Sequence, residues 1–101
     1  MSKLDIDQKN SLYYEFEEGK QNTYTYVFVN ALTGNTSAWN GVIGKRVKDA
    51  GHGYLTYNFR GQINSSFDER INLTSETIIS DLLMLIDHLN LKNIILCGLS
   101  I

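Results

Sequence analysis

Two short runs of almost uninterrupted apolar character limit what this chain can fold into. Residues 24–30 read Tyr-Thr-Tyr-Val-Phe-Val-Asn, and residues 94–97 read Ile-Ile-Leu-Cys. Amphipathic segments separate the two runs. A strand with a continuous apolar centre is covered on both faces, and such strands belong to sheets flanked by helices. The sequence therefore predicts an α/β fold.

The segment after the first run predicts a short amphipathic helix. Ser37 is suited to cap it, and Gly51 to end it near Ala50. Between them, apolar residues recur at intervals of three or four, which places them on one helical face. They are Trp39, Val42, Ile43 and Val47. We expect this face to lie against the sheet.

A stronger helix is predicted after the polar loop of residues 58–72. Thr74 is suited to cap it, and Leu73 and Ile78 to form a hydrophobic staple. Asn90 is suited to stop it in a left-handed conformation. Its apolar face comprises Ile78, Ile79, Leu82, Leu83, Ile86 and Leu89.

The remaining elements complete an open sheet. Residues 3–7 and 11–17 alternate apolar with polar around a short polar turn, which is typical of an antiparallel hairpin, and residues 54–57 form a further strand. A hairpin followed by β-α-β-α-β predicts a mostly parallel sheet with helices on both faces, because crossovers are right-handed. Ligands bind beyond the carboxyl ends of such strands. Here those ends are the loops of residues 30–36, residues 58–66 and residue 98 onward.

The last four residues carry the strongest indication of chemistry. Gly98-Leu99-Ser100-Ile101 follows a buried-type strand, which is the context of a nucleophile elbow. In that turn a serine hydroxyl is exposed, and the flanking residues are small because the backbone approaches itself closely. Glycine and serine are common residues, so this motif gains its weight only together with the others.

Three motifs in chain order give the segment from about Leu12 to Ile101 a resemblance to α/β-hydrolases of the ester-hydrolase and acyltransferase type. Residues 27–34, Val-Phe-Val-Asn-Ala-Leu-Thr-Gly, resemble the family's strand ending in His-Gly-x-x-Gly. Residues 57–65, Tyr-Asn-Phe-Arg-Gly-Gln-Ile-Asn-Ser, resemble its loop Asp-x-Arg-Gly-x-Gly-x-Ser. Residues 81–100 resemble the helix and strand that deliver its nucleophile.

The resemblance implies an architecture. Residues 1–101 would form the amino-terminal part of a single, incomplete α/β-hydrolase domain, with one helix on each face of the sheet. In the sheet, the two strands of the hairpin would come first. They would be followed by residues 54–57, then residues 24–30, and last residues 94–97.

The resemblance also implies the site. Ser100 would be the nucleophile of an acyl-enzyme, and the backbone amides of Leu32 and Ile101 would be the oxyanion donors. Four positions depart from the family's pattern. Asn30 and Ala31 replace the usual His and Gly, while Asn58 and Ile63 replace an Asp and a Gly. None of these changes removes a backbone donor, but Ala31 narrows the conformations open to its loop.

The triad acid and histidine follow the serine in chain order in this family. We therefore expect His52 and His88 to lie on the wrong side of the sheet, and we interpret Asp81 and Asp87 as solubilising charges on the second helix. The chain alone is expected to be inactive. A small acyl substrate would bind to the complete enzyme, and the chain would self-associate or pair with the missing carboxyl-terminal part. The alternative hypothesis is a non-catalytic, truncated remnant that acts as a self-associating module.

Composition excludes several other classes. The formal charge of -2 and scattered basic residues argue against nucleic acid as a partner. The densest basic group, Lys45, Arg46 and Lys48, is interpreted as the solvated face of the first helix. With neither a secretory leader nor a membrane span visible, the prediction is a cytoplasmic protein that does not bind membranes. Cys97 is interpreted as a buried thiol, and no spacing indicates a metal or cofactor site.

Overall fold

The sheet has five strands in the predicted order. The computed structural model describes residues 2–30, 36, 39, 42–62, 64–68, 70 and 73–98. The elements along the described chain are β1 (Ser2–Asp5), β2 (Ser11–Glu17), β3 (Thr25–Val29), α1 (Val42–Asp49), β4 (Gly53–Tyr57), α2 (Ser75–His88) and β5 (Ile94–Gly98). The strand order is β1-β2-β4-β3-β5, in which the first two pairs are antiparallel and the last two are parallel. The predicted topology is confirmed.

The first strand is shorter than predicted. β1 ends at Asp5, and the next two residues belong to the hairpin turn. The Asp7 carboxylate accepts hydrogen bonds from the amides of Lys9 and Asn10, at 2.8 and 2.9 Å. The bond from Lys9, supported by those from Asn10, lowers the pKa of Asp7. Such local bonds compete with strand pairing, which explains the early end.

Within the described residues, one helix covers each face of the sheet, as predicted. Along β4, Leu55 and Tyr57 point to one face and Tyr54 to the other, because side chains alternate along a strand. Leu55 and Tyr57 share a buried cluster with Leu85 of α2. α1 lies on the opposite face, where a Cβ added to Gly44 would come within 3.3 Å of the Tyr54 ring. A glycine is therefore what allows α1 to approach the sheet this closely.

The main core lies between α2 and the sheet. Its completely buried members are Leu12, Val27, Leu55, Tyr57 and Leu85. The predicted apolar face of α2 is partly wrong, because it omits Leu85 and includes Ile79 and Leu83, which are 58% and 56% exposed. The residues that pack on the core are Ile78, Leu82, Leu85 and Leu89. Apolar residues surround more than half of α2, so contact with the sheet decides which side is buried.

The predicted stripe of α1 is also partly wrong. Trp39 is buried, but Ile43 is 44% exposed, and Gly44 is the residue that faces the sheet. The three basic residues are exposed, as predicted: Lys45, Arg46 and Lys48. Ser37, the predicted cap, lies outside the described residues.

The ends of α2 are as predicted. The Thr74 hydroxyl oxygen accepts from the Thr77 amide at 3.2 Å and caps the first turn. At the other end Asn90 takes a φ of 52°, and its amide donates to the carbonyl of Asp87. α1 is likewise followed by a left-handed residue, Gly51, with a φ of 93°. No helix within the described residues combines the length and apolar content needed to cross a membrane.

The outer edge of β5 and part of one face of the sheet are open. Within the described residues β5 pairs with β3 alone, and its Leu96 is 58% exposed, so this apolar strand is left uncovered at the end of the predicted strand order. The register places Leu96 beside Val27, on the face that α2 covers. We call the exposed apolar side chains on this side of the molecule the open apolar face: Ile79, Leu83, Ile94 and Leu96.

Candidate active site

Three strands have their carboxyl ends at the same end of the sheet. β4, β3 and β5 are parallel neighbours. Their pairing brings Asn30, which follows β3, level with Asn58, which follows β4. It also places Val29 beside Gly98 at the end of β5. Beyond this carboxyl end of the strands the sequence predicts ligand binding.

The Asn30 side chain joins β3 to β4. Its Nδ2 donates to the Tyr57 carbonyl at 2.6 Å and to Asn58 Oδ1 at 3.1 Å, with Gln62 Oε1 at 3.3 Å. Its Oδ1 accepts from the Trp39 indole Nε1 at 2.7 Å. Because an indole nitrogen only donates, the orientation of this amide is determined. We call Asn30, Asn58, Gln62 and Trp39 the amide cluster.

The amide cluster also reaches the far end of the segment 31–35. The Thr36 amide donates to Asn58 Oδ1 at 2.9 Å. The Trp39 amide in turn donates to the Thr36 carbonyl at 3.1 Å. Both ends of the segment in which the sequence places Leu32 are therefore held by buried hydrogen bonds.

The loop after β4 is closed by its own side chains. Gln62 Oε1 accepts from the Phe59 amide at 2.7 Å. The Ser65 hydroxyl donates to the Asn58 carbonyl and accepts from the Tyr13 amide, each at 2.8 Å. Ser65, the last residue of the predicted loop motif, thus ties this loop to β2.

Arg60 and Asp81 form a buried ion pair that links the same loop to α2. Arg60 Nε and Nη2 donate to the two Asp81 oxygens at 2.7 and 2.8 Å. The prediction that Asp81 is a solubilising charge is wrong, because α2 turns this side toward the loop and leaves Asp81 only 3% exposed. Its carboxylate raises the pKa of Arg60. Asp87 is exposed, as predicted.

The predicted catalytic residues lie outside the described residues. These are Ser100, Leu32 and Ile101, together with the departures Ala31 and Ile63. Their roles stay predictions.

The other candidates from the sequence occupy separate places. His52 immediately precedes β4, and its Nδ1 accepts from the Tyr24 amide at 3.3 Å. His88 is exposed in the last turn of α2, and its ring lies 6.4 Å from that of Tyr14. Cys97 is half-buried, not fully buried as predicted. Among the residues that the structure describes, no group of three or more His, Cys, Asp and Glu side chains is placed to hold a metal ion.

The amide cluster is not among the sites that the sequence predicts, although the sequence carries a signal for it. Taken singly, Asn30 and Asn58 are two separate departures from the family's pattern. Both residues follow apolar strands that the topology makes neighbours, and amides in such positions come within hydrogen-bonding distance. The two departures are in fact partners in one hydrogen bond.

Comparison with known proteins agrees with this geometry at the level of the fold. No protein-family model matches the chain, and no curated protein matches it in sequence. Solved structures do match. One comes from a study of carboxylesterases of the ammonia-oxidizing thaumarchaeon Nitrososphaera gargenis. It is 26% identical with a TM-score of 0.86, over 98% of this chain and 36% of that one.

Two further structures give the same picture. An α/β hydrolase from a Medee basin deep-sea metagenome library is 24% identical with a TM-score of 0.81, over 98% of this chain and 35% of that one. The enol-lactonase of Burkholderia xenovorans is 26% identical with a TM-score of 0.76, over 90% of this chain and 34% of that one. The chain spans about a third of the length of the solved structures it matches. It belongs to the α/β-hydrolase fold, of which its strands and helices form an amino-terminal portion.

Proposed function

We propose that this chain provides the nucleophile and the oxyanion-binding amides of a serine hydrolase that acts on an ester or a related acyl compound. Ser100 attacks the acyl carbon, and the backbone amides of Leu32 and Ile101 donate to the oxyanion. The acid and histidine of the triad belong to a part of the domain that follows Ser100. The complete domain is then active, and the 101-residue chain alone is inactive.

The register of β3 and β5 is the observation that carries this proposal. Val29 lies beside Gly98 in neighbouring parallel strands. The chain therefore leaves these two strands at neighbouring points, after Val29 and after Gly98, and Leu32 and Ser100 follow those points in the sequence. An oxyanion hole of this type takes one amide from the residue after the nucleophile and one from the loop after the neighbouring strand. The backbone layout supports both donors.

The amide cluster adds support, because oxyanion donors act only when they are fixed in advance. Hydrogen bonds at Asn30 and Thr36 hold both ends of the segment 31–35 to β4. Two such donors supply a few kcal/mol of transition-state stabilisation.

The reaction has two halves. The Ser100 oxygen bonds to the acyl carbon as its proton passes to the triad histidine, and the ester C–O bond breaks as the alcohol leaves with that proton. Water then attacks the acyl-enzyme, which releases the acid and restores the serine hydroxyl. The names of two matched structures, carboxylesterase and enol-lactonase, refer to ester bonds, and we extend that bond type to this chain.

Turnover of p-nitrophenyl acetate tests the proposal. It is measured for the 101-residue chain and for a longer chain from the same reading frame. We expect turnover by the longer chain alone, and a loss of at least about 1000-fold in its Ser100→Ala variant. Ser80→Ala, on the exposed side of α2, is the matched control and should keep full activity. Turnover that survives Ser100→Ala would contradict the proposal.

A fluorophosphonate probe locates the nucleophile independently of the choice of ester. Trypsin cleaves after Lys92, so the peptide that contains Ser100 begins at Asn93. We expect the adduct of the longer chain in that peptide, and we expect none in its Ser100→Ala variant. An adduct confined to another serine would overturn the assignment.

A second candidate function, a non-catalytic module that self-associates, is favoured by the open apolar face. Its side chains lie beside an unpaired strand edge, and both features recruit partners. This candidate requires a stable assembly of 101-residue chains that does not react with the probe. A longer chain that is monomeric and labelled at Ser100 excludes it.

A further inference from the structure

We infer that Asn30 is a positioning residue whose side-chain amide, through hydrogen bonds between uncharged groups, clamps both ends of the segment 31–35. The clamp would hold the Leu32 amide in place. That last step rests on the proposed function, whereas the clamp itself does not.

Asn30 suits this role because its amide both donates and accepts. The two Nδ2 hydrogens are directed to β4, with the Tyr57 carbonyl at 2.6 Å and Asn58 Oδ1 at 3.1 Å. The oxygen is directed to Trp39, which lies beyond the segment. An aspartate ion in this place only accepts, and an aliphatic side chain does neither.

The far end of the clamp is fixed by packing. The Trp39 ring stacks on Phe28 of β3, with ring centroids 4.7 Å apart and planes 14° apart. Trp39 is buried, so its indole N–H must find an acceptor inside the protein. Asn30 provides it, and the Thr36 amide finds its own acceptor in Asn58.

Among the described residues, the groups that hydrogen bond to the Asn30 side chain carry no charge. The partners of the Asn30 side chain are a backbone carbonyl, two amides and an indole. The nearest ionisable side chains along β4 and its loop, Tyr57 and Arg60, are directed to α2 instead. Asn30 and Asn58 stand where the motif that the chain resembles has His and Asp, and the two replacements share a hydrogen bond. Together they retain hydrogen bonding and remove titratable groups from this site.

Asn30→Asp is the discriminating variant, because it exchanges one NH2 group for oxygen at constant shape. The new oxygen would face Tyr57 O, Asn58 Oδ1 and Gln62 Oε1, and no cation of the described residues is among the partners of this side chain. Burial and this oxygen cluster raise the pKa of the new carboxyl above its usual value of about 3.9. The protonated form donates to the cluster again, so the clamp should hold at low pH and open as the pH rises.

The indole N–H of Trp39 reports on the clamp, since this is the only tryptophan of the chain. Its hydrogen exchange is followed by NMR at pH 4 and pH 8 and corrected for the intrinsic rate. We expect the same protection at both pH values in the unaltered 101-residue chain. Asn30→Asp should lose protection at least about tenfold at pH 8 and regain it at pH 4. Asn30→Ala should lose it at both.

The control is Asn22→Asp, which adds the same charge at an exposed turn and should behave like the unaltered chain. If Asn30→Asp is folded at pH 4 and unfolds as the pH rises to 8, the opened clamp has destabilised the whole chain, and this result also supports the inference. A folded Asn30→Asp with pH-independent protection overturns the inference, as does an Asn30→Asp chain already unfolded at pH 4.

Kinetics of the longer chain then test the link to Leu32. We expect Asn30→Asp to lower kcat at pH 8 by at least about tenfold with little change in KM, because an oxyanion donor acts on the transition state. A changed KM with an unchanged kcat would contradict the link. If Ser100→Ala shows that the proposed function is wrong, the exchange measurements still decide the clamp.

Discussion

Arg60 and Asp81 are joined by two hydrogen bonds of 2.7 and 2.8 Å although both side chains are almost completely buried. The pair fixes the loop after β4 to the second turn of α2, 21 residues further along the chain. The same loop carries Gln62, which contacts Asn30. The ion pair therefore anchors the loop from which the amide cluster takes one of its members.

Removing one partner of this ion pair should lower the free energy of unfolding of the chain. We expect Asp81→Asn to lower the free energy of unfolding by about 3–5 kcal/mol, because it leaves the buried Arg60 charge without its hydrogen-bonded counter-charge. Replacing both partners, as Arg60→Met with Asp81→Leu, should recover much of that loss. Urea unfolding followed by circular dichroism measures both, with the exposed Asp87→Asn as control. An Asp81→Asn loss no larger than that of Asp87→Asn would contradict the expectation.

Local sequence patterns predicted the elements because each leaves a short-range signal. Thr74 and Asn90 are suited by their own chemistry to begin and end α2, and both do so. The pattern of apolar strands separated by helices predicted the parallel strands, and the right-handed crossover rule together with the family resemblance predicted their order. The same signals placed the candidate site at the carboxyl ends of β3, β4 and β5.

Contacts between distant residues left no comparable signal. Asp81 has the sequence environment of a solvated helix charge, and only its meeting with Arg60 makes it a buried one. Leu83 and Leu85 are equally apolar, and packing on the sheet buries only Leu85. In each case the deciding neighbour lies elsewhere in the fold.

The hydroxyl of Tyr57 is buried and has no hydrogen-bond partner within the described part of the chain. Burial, assisted by the Asp81 charge, raises the pKa of Tyr57. A folded-state pKa above the unfolded value of about 10 means that stability is complete below that pH and falls as the pH rises further. Tyr57→Phe should flatten this alkaline loss and stabilise the chain at pH 7 by about 1 kcal/mol, because it removes an unsatisfied hydroxyl.

Urea unfolding at pH 7 and pH 11 measures the effect of Tyr57→Phe. The control is Tyr24→Phe at an exposed position, which should change neither value. A Tyr57→Phe variant that is less stable at pH 7 and keeps the steep alkaline loss would show that the hydroxyl has a partner.

Asp68 should contribute stability that the chain loses in acid. The Arg70 guanidinium hydrogen bonds to its carboxylate and, with the Arg70 amide, lowers the pKa of Asp68 to about 2. A lowered folded-state pKa gives stability that is present above the unfolded value of about 3.9 and is lost as the pH falls toward 2. Asp68→Asn should therefore make the acid limb of the stability curve shallower in this window. Thermal unfolding at intervals from pH 5 to pH 2 checks it, and the exposed Asp5→Asn should keep the original slope.

The last prediction concerns the open apolar face. Asp81 binds Arg60 and His88 lies beside Tyr14, so this side of α2 is turned toward β2 and the loop after β4. Ile79 and Leu83 lie on the opposite side of α2 by helix periodicity and are exposed, and Ile94 and Leu96 of β5 are exposed on the sheet face that α2 covers. Apolar side chains next to a free strand edge favour association. We expect the 101-residue chain to form oligomers whose apparent mass rises with concentration.

Ile79→Lys and Leu96→Lys should shift these oligomers toward the monomer, because each places a charge in the buried contact. Ile43→Lys is the matched control. It adds the same charge at an exposed isoleucine of the other helix, on the opposite face of the sheet, and should leave association unchanged. Light scattering coupled to size-exclusion chromatography measures all four chains over a range of concentrations. In the longer chain the same two substitutions should instead lower the free energy of unfolding, because the rest of the domain would cover this face. An unaltered 101-residue chain that stays monomeric at high concentration would show that the face needs no partner.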